Sequence, residues 1–229
     1  MPNLFSGTSN FDVTEIKKYI ENKLNGAQVD SIVGISMGGL LAPHLARIYP
    51  KAKLVLIGTG PYLKTSIPIY NFLLRLEQND EALVLVRLAK KVPKGLYKFI
   101  YKTFNRHEGL LAKMKYKDRA DENLEALSRI PLAKIKEILR FVVKTDNTQL
   151  LSQITNQTII FAGTSDVMMP VDLARKMHEL IKSSVLLTSD HLHYDVFTEK
   201  DCQRLDQFLK ATPIPIPQII KTRRLKHNP

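Results

Sequence analysis

The chain has 229 residues, 44% of them hydrophobic, a single cysteine and a formal net charge of +12. That length and apolar content fit one globular domain, or a core with a modest insertion, and exclude a disordered, fibrous or disulfide-stapled chain. No stretch approaches the run of about 18 apolar residues that spans a bilayer, and the opening residues carry no signal-peptide pattern, so the expected setting is a reducing cytoplasm.

Asp12 followed by Glu15 marks a helix start, and Val13, Ile16, Ile20 and Leu24 recur at helical spacing up to the stop signal Asn25-Gly26. SIVGI (31–35) is a short apolar run of the kind shown by a strand buried on both faces. LLAPHLARIYP reads as a helix, in which Pro43 is tolerated only within the first turn or two. The alternation returns at KLVLIG (53–58), at TIIFAG (158–163) followed by PVDLARKMHELI, and at SVLLT (184–188) followed by a helix through Phe208. Strands alternating with helices predict an α/β fold, a mostly parallel sheet flanked by helices.

Between Gly60 and about Asp146 the pattern is helical only, with Pro93 and Pro131 each placed as a first helical residue. Ile135, Ile138, Leu139 and Val142 form one apolar stripe, which Lys134, Lys136, Arg140 and Lys144 mostly avoid. The predicted organisation is a core over 1–60 and 147–211, an all-helical insertion over 61–146, and a proline-rich basic tail over 212–229 that is expected to be extended or poorly ordered. Charge is uneven: from Arg87 to Arg119 only Glu108 and Asp118 oppose many lysines and arginines. Such an excess attracts anionic surfaces in a salt-sensitive way.

Gly34-Ile35-Ser36-Met37-Gly38 falls where a predicted strand turns into a predicted helix. A serine on a tight strand-to-helix turn is held at a strained backbone angle, and the turn aims the following amide, that of Met37, at a developing oxyanion. A glycine-rich turn that merely packs strand on helix is the competing reading. A serine hydroxyl is a poor nucleophile unless a histidine takes its proton, and that histidine needs an acid to fix its tautomer. Both partners are expected just past later strand ends. Asp166 lies in TSDVMMP after TIIFAG, and His191 and His193 lie in SDHLHYDVF after SVLLT.

GISMGG, FAGTSDVMMP and the histidine loop, in this order and separated by a helical insertion, resemble the α/β-hydrolase superfamily with a lid. The resemblance covers residues 1 to about 211 and implies a serine hydrolase, esterase- or lipase-like, that cleaves a carboxylic ester or thioester without cofactor or metal. It implies Ser36 as nucleophile, Asp166 as acid partner, the Met37 amide as one oxyanion donor and 61–146 as the lid. His193-Tyr194-Asp195-Val196-Phe197 resembles the His-x-Asp-apolar-apolar pattern of some lipase-like members, and the 27-position gap from Asp166 favours His193 as base. Counting back from the helix at Phe208 favours His191 instead. The expected partner is a small-molecule ester or acyl compound. The basic insertion reads first as a solvated charged face, and alternatively as a pointer to an anionic or lipid-like substrate and peripheral membrane contact; no reading motif suggests nucleic acid.

The resemblance also implies four strands before the elbow strand and a second oxyanion amide from a His-Gly loop, whereas 35 residues precede Ser36. MPNLFSGTS resembles the Asp-x-Pro-Gly-x-Gly-x-Ser stretch that follows the fourth strand in relatives. The fold is therefore expected to be N-terminally truncated, through a start assigned too late, because a partner chain supplies the missing strands in trans, or as a degenerate fragment. The alternative function is a catalytically impaired binding or scaffold protein with an incomplete oxyanion hole.

Other residues carry plainer expectations. His44 reads as packing or surface, Asp190 and Asp195 as loop caps, and His107, His178 and His227 as unconnected to chemistry. Asn156-Gln157-Thr158 fits a glycosylation acceptor without the secretory context that would give it meaning. Tyr97, Phe99, Tyr101, Phe104 and Met114 read either as lining of an acyl pocket or as packing within the insertion.

Overall fold

A computed structural model describes residues 12–79, 83–91, 93, 95, 96, 99, 125, 128–193 and 199–211. The expectations for MPNLFSGTS, Tyr97, Tyr101, Phe104, His107, Met114, Asp195 and the tail over 212–229 lie outside these residues.

In chain order the elements are α1 (Val13–Leu24), β1 (Ser31–Ile35), α2 (Met37–Ile48), β2 (Lys53–Ile57), α3 (Pro68–Asn79), α4 (Val84–Lys91), α5 (Leu132–Lys144), α6 (Thr148–Leu151), β3 (Thr158–Gly163), α7 (Val171–Leu180), β4 (Ser184–Ser189) and α8 (Glu199–Lys210). Helix α1 starts because the Asp12 carboxylate accepts from the amides of Thr14 at 2.8 Å and Glu15 at 3.1 Å, satisfying two of the orphan donors at a helix N-terminus. It ends at Asn25, whose backbone is left-handed at φ 46°. Pro43 sits in the second turn of α2, where the sequence required it. Pro131 and Pro170 stand one residue before α5 and α7 rather than inside them, with extended ψ values of 144° and 141°.

The four strands form one parallel sheet in the order β1-β2-β3-β4. Alternation along the strands sends the side chains to two faces. Ile32, Leu54, Leu56, Ile160 and Ala162 pack with Ala42 and Ala46 of α2 and Ala174 and Met177 of α7. On the other face Val55, Ile57, Ile159 and Phe161 pack with Leu205 and Phe208 of α8. Lys53 extends that second face and is itself buried; its ammonium donates to the carbonyls of Phe208 at 2.7 Å, Leu209 at 2.8 Å and Ala211 at 2.5 Å. A cation from β2 thus caps the C-terminus of α8, where the helix dipole is negative. Helix α1 lies outside α2, with Ile16 fully buried against Leu41.

Two expectations fail in detail. β1 is not buried on both faces: Val33 and Ile35 are 46% and 56% exposed, because α8 covers the face at β2 and β3 and stops short of β1. Among the described residues the outer edge of β1 has no paired strand. Lys134, one of the cations expected mostly to avoid the apolar stripe of α5, is buried, and it donates to Glu137 one turn on at 2.8 Å.

Candidate active site

The three strand ends that face the same way carry the candidate residues. At the end of β1 the Ser36 amide still donates to Ile57 O of β2 at 2.9 Å, so the sheet ladder holds the serine to the last residue before α2. Its backbone then turns to φ 51° and ψ −119°, a conformation that costs a non-glycine residue about 1–3 kcal/mol and persists only where surrounding structure enforces it. Close packing of α2 on β1 enforces it here. A Cβ on Gly34 would stand 2.6 Å from Ala42 Cβ, 2.8 Å from Gly39 Cα and 2.9 Å from Gly38 O, so only glycine lets the helix approach this strand. Met37 is the first residue of α2, and its amide is among the N-terminal donors that no helical carbonyl can satisfy.

Past the end of β3 the chain makes a tight turn at Asp166. One carboxylate oxygen accepts from the amides of Met168 and Met169, both at 2.8 Å, and this fixes the orientation of the group. The other oxygen faces His193 Nδ1 at 2.7 Å. Both side chains are buried. Past the end of β4 the loop folds back over β3: Ser165 N donates to the His191 carbonyl, which lies so close to Gly163 that a Cβ there would be 2.1 Å from it. Asp190 ties the two loops together by accepting from Ser165 Oγ at 2.9 Å and Thr164 Oγ1 at 3.3 Å. This crossing delivers His193 so that Nε2 is 2.9 Å from Ser36 Oγ.

The result is one continuous line from Asp166 through His193 to Ser36, assembled from residues 27 and 157 positions apart. A carboxylate oxygen only accepts, so Nδ1 carries the proton and Nε2 presents its lone pair to the serine hydroxyl. His191 contributes main chain to the loop crossing, while His193 is the imidazole placed on Ser36. His178 pairs with Ser184 at the far end of α7, its Nδ1 2.8 Å from Ser184 Oγ. His44 faces Asn147 on the flank of α2; burial lowers its pKa from the ordinary 6.5, against the raising effect of the Asn147 hydrogen bond and with a smaller push down from Arg47. Asn156 is buried and donates to the carbonyls of Tyr49 and Ala52, so the acceptor-like tripeptide is a packing element. Among the described residues no three His, Cys, Asp or Glu side chains converge as metal ligands, and no helix is long and apolar enough to cross a membrane.

The anchoring amides of Met168 and Met169 and the tie through Asp190 were missed by sequence reasoning. Asp followed within three residues by a chain reversal signals an Asx-type turn, which is the trace they leave in TSDVMMP.

Comparisons with known proteins agree with this architecture. No curated protein matches the sequence significantly. Among solved structures, an alpha/beta hydrolase enzyme from a Medee basin deep-sea metagenome superposes with a TM-score of 0.65 at 16% identity, over 92% of this chain and 76% of that one. An esterase from Exiguobacterium antarcticum superposes with a TM-score of 0.61 at 20% identity, over 89% and 75% of the two chains. A thermophilic esterase from Thermogutta terrifontis does so with 0.61 at 18%, over 88% and 73%. The model of the alpha/beta hydrolase fold matches residues 5–200, most of the sequence, and the chain therefore belongs to the α/β-hydrolase fold family.

Proposed function

We propose that the chain is a serine hydrolase that cleaves a carboxylic ester or thioester through an acyl-enzyme on Ser36. The observation that carries this reading is the Asp166–His193–Ser36 line, with its 2.7 Å and 2.9 Å contacts drawn from three strand ends. Two similarly folded structures, both of esterases, agree with it. His193 Nε2 accepts the hydroxyl proton as Ser36 Oγ attacks the acyl carbon, and the Met37 amide donates to the oxygen that becomes negative. Asp166 stabilises the imidazolium by its hydrogen bond to Nδ1. Collapse of the tetrahedral adduct expels an alcohol or thiol, which takes the proton from Nε2. Water then attacks the acyl carbon as Nε2 takes one of its protons, and the bond to Ser36 Oγ breaks with that proton returned to Oγ as the acid leaves.

The experiment is labelling by a fluorophosphonate probe, with the adduct located by peptide mass spectrometry. Wild-type protein is expected to carry the label on Ser36 and Ser36→Ala to carry none; equal labelling of both overturns the assignment. A second reading, a catalytically impaired hydrolase-like binding or scaffold protein, draws support from the outer edge of β1 beside the elbow, which pairs with no strand among the described residues. A folded wild-type protein that resists the probe and hydrolyses no short-chain ester supports that reading.

A further inference from the structure

Three features of the helical insertion coincide. Helix α3 turns Ile69, Phe72 and Leu76 to solvent, 50%, 56% and 48% exposed, at spacings of three and four residues that align them in one stripe. Helix α3 packs on α5, yet these three side chains stay half exposed. Large apolar side chains grouped on a surface mark an interaction site. Beside the stripe a cleft of about 370 Å³ opens between α3 and α5, walled by Phe72, Tyr62 and Val143 and rimmed by Lys64 and Arg75. Neither of these two cations has a carboxylate partner among the described residues. Finally, α4 contacts α3 and carries Arg87, Lys90 and Lys91 with no acidic residue.

We propose that this face seats the protein on an anionic lipid surface. The stripe enters the boundary between headgroups and acyl chains, the cations of α4 meet the surface charge, and the cleft between Lys64 and Arg75 takes one anionic headgroup. A phosphate polymer would satisfy the cations equally well, but it would leave Ile69, Phe72 and Leu76 in water. The apolar stripe therefore selects the bilayer. The inference is independent of the chemistry at Ser36.

The test is co-sedimentation of the full chain with phosphatidylcholine vesicles and with vesicles containing about one-third phosphatidylserine, alongside binding to duplex DNA. Wild-type protein is expected on the anionic vesicles and not on the neutral ones, with binding that falls as salt rises. Phe72→Ser combined with Leu76→Ser removes two half-exposed side chains and is expected to lower partitioning about tenfold or more. Lys64→Gln with Arg75→Gln is expected to weaken binding and flatten its salt dependence. Each variant alters exposed positions, and an unchanged melting temperature confirms that the fold is retained. Unchanged partitioning of the Phe72/Leu76 variant, equal binding to neutral vesicles, or tighter binding to DNA that is insensitive to Phe72 and Leu76 overturns the proposal.

Discussion

The two glycines of Gly34-Ile35-Ser36-Met37-Gly38 look equivalent as a string, yet they meet different surroundings, and substituting each by alanine separates the roles. A Cβ at position 34 would lie 2.6 Å from Ala42 Cβ and under 3 Å from two backbone atoms, whereas one at position 38 meets nothing within 4 Å. Relaxed carbon contacts stand about 3.5–4.0 Å apart, so Gly34→Ala has to force β1 and α2 apart by about 1 Å. Overpacking of this kind costs about 1–3 kcal/mol. At about 2–4 °C per kcal/mol for a chain of this size, the midpoint falls by roughly 2–12 °C. Ser36 sits at the junction of the two elements, so its hydroxyl is carried off His193, and a displacement of about 1 Å costs on the order of 100-fold in rate. Gly38 has no left-handed backbone, and alanine there improves helix propensity by up to about 1 kcal/mol. The assay is a thermal melt paired with the rate of fluorophosphonate labelling. Gly34→Ala is expected to lose both stability and labelling, and Gly38→Ala to keep both. Equal loss in the two variants, or full labelling by Gly34→Ala, refutes the reasoning.

Asp166→Asn keeps the shape of the turn but removes the obligate acceptor at His193 Nδ1, so labelling is expected to drop by up to about 10⁴-fold with little change in melting temperature. Lys53→Met retains the buried stem and removes three hydrogen bonds at the C-terminus of α8; a loss of about 2–4 kcal/mol in a urea titration is expected, with earlier proteolysis beyond residue 199. His44 has a lowered pKa in the fold, so the unfolded chain binds more protons in the window just below 6.5; the stability it contributes is present above 6.5 and lost as pH falls through the lowered value. His44→Gln is therefore expected to shrink the drop in melting temperature between neutral and mildly acidic buffer.

What was legible in the sequence follows from how local each determinant is. The cap at Asp12, the stop at Asn25-Gly26 and the limits of TIIFAG rest on near neighbours, and the structure has them at the residues expected. The parallel sheet followed from strand–helix alternation alone. The exposure of Val33 and Ile35 was not legible, because SIVGI reads as an interior strand and only the reach of α8 decides which part of that face is covered. The burial of Lys134 was not legible for the same reason: it depends on Glu137 and on packing that no helical period records. At the candidate site, the spacing of His191 and His193 pointed both ways. The crossing of the histidine loop over Gly163, a tertiary event, is what turns the His191 carbonyl inward and places the His193 ring on Ser36. Ser36 itself was conspicuous because the strand-to-helix turn is written into adjacent residues.

The bare flank of β1 has a practical consequence for anyone preparing this protein. A short strand with no partner on its outer side among the described residues, bearing two wet aliphatic side chains and no charge, is a template for lateral self-association. The net charge of +12 keeps copies apart through repulsion, which reaches only about 8 Å at physiological ionic strength. Concentrating the material in high salt removes that barrier, so self-association is expected to rise with ionic strength.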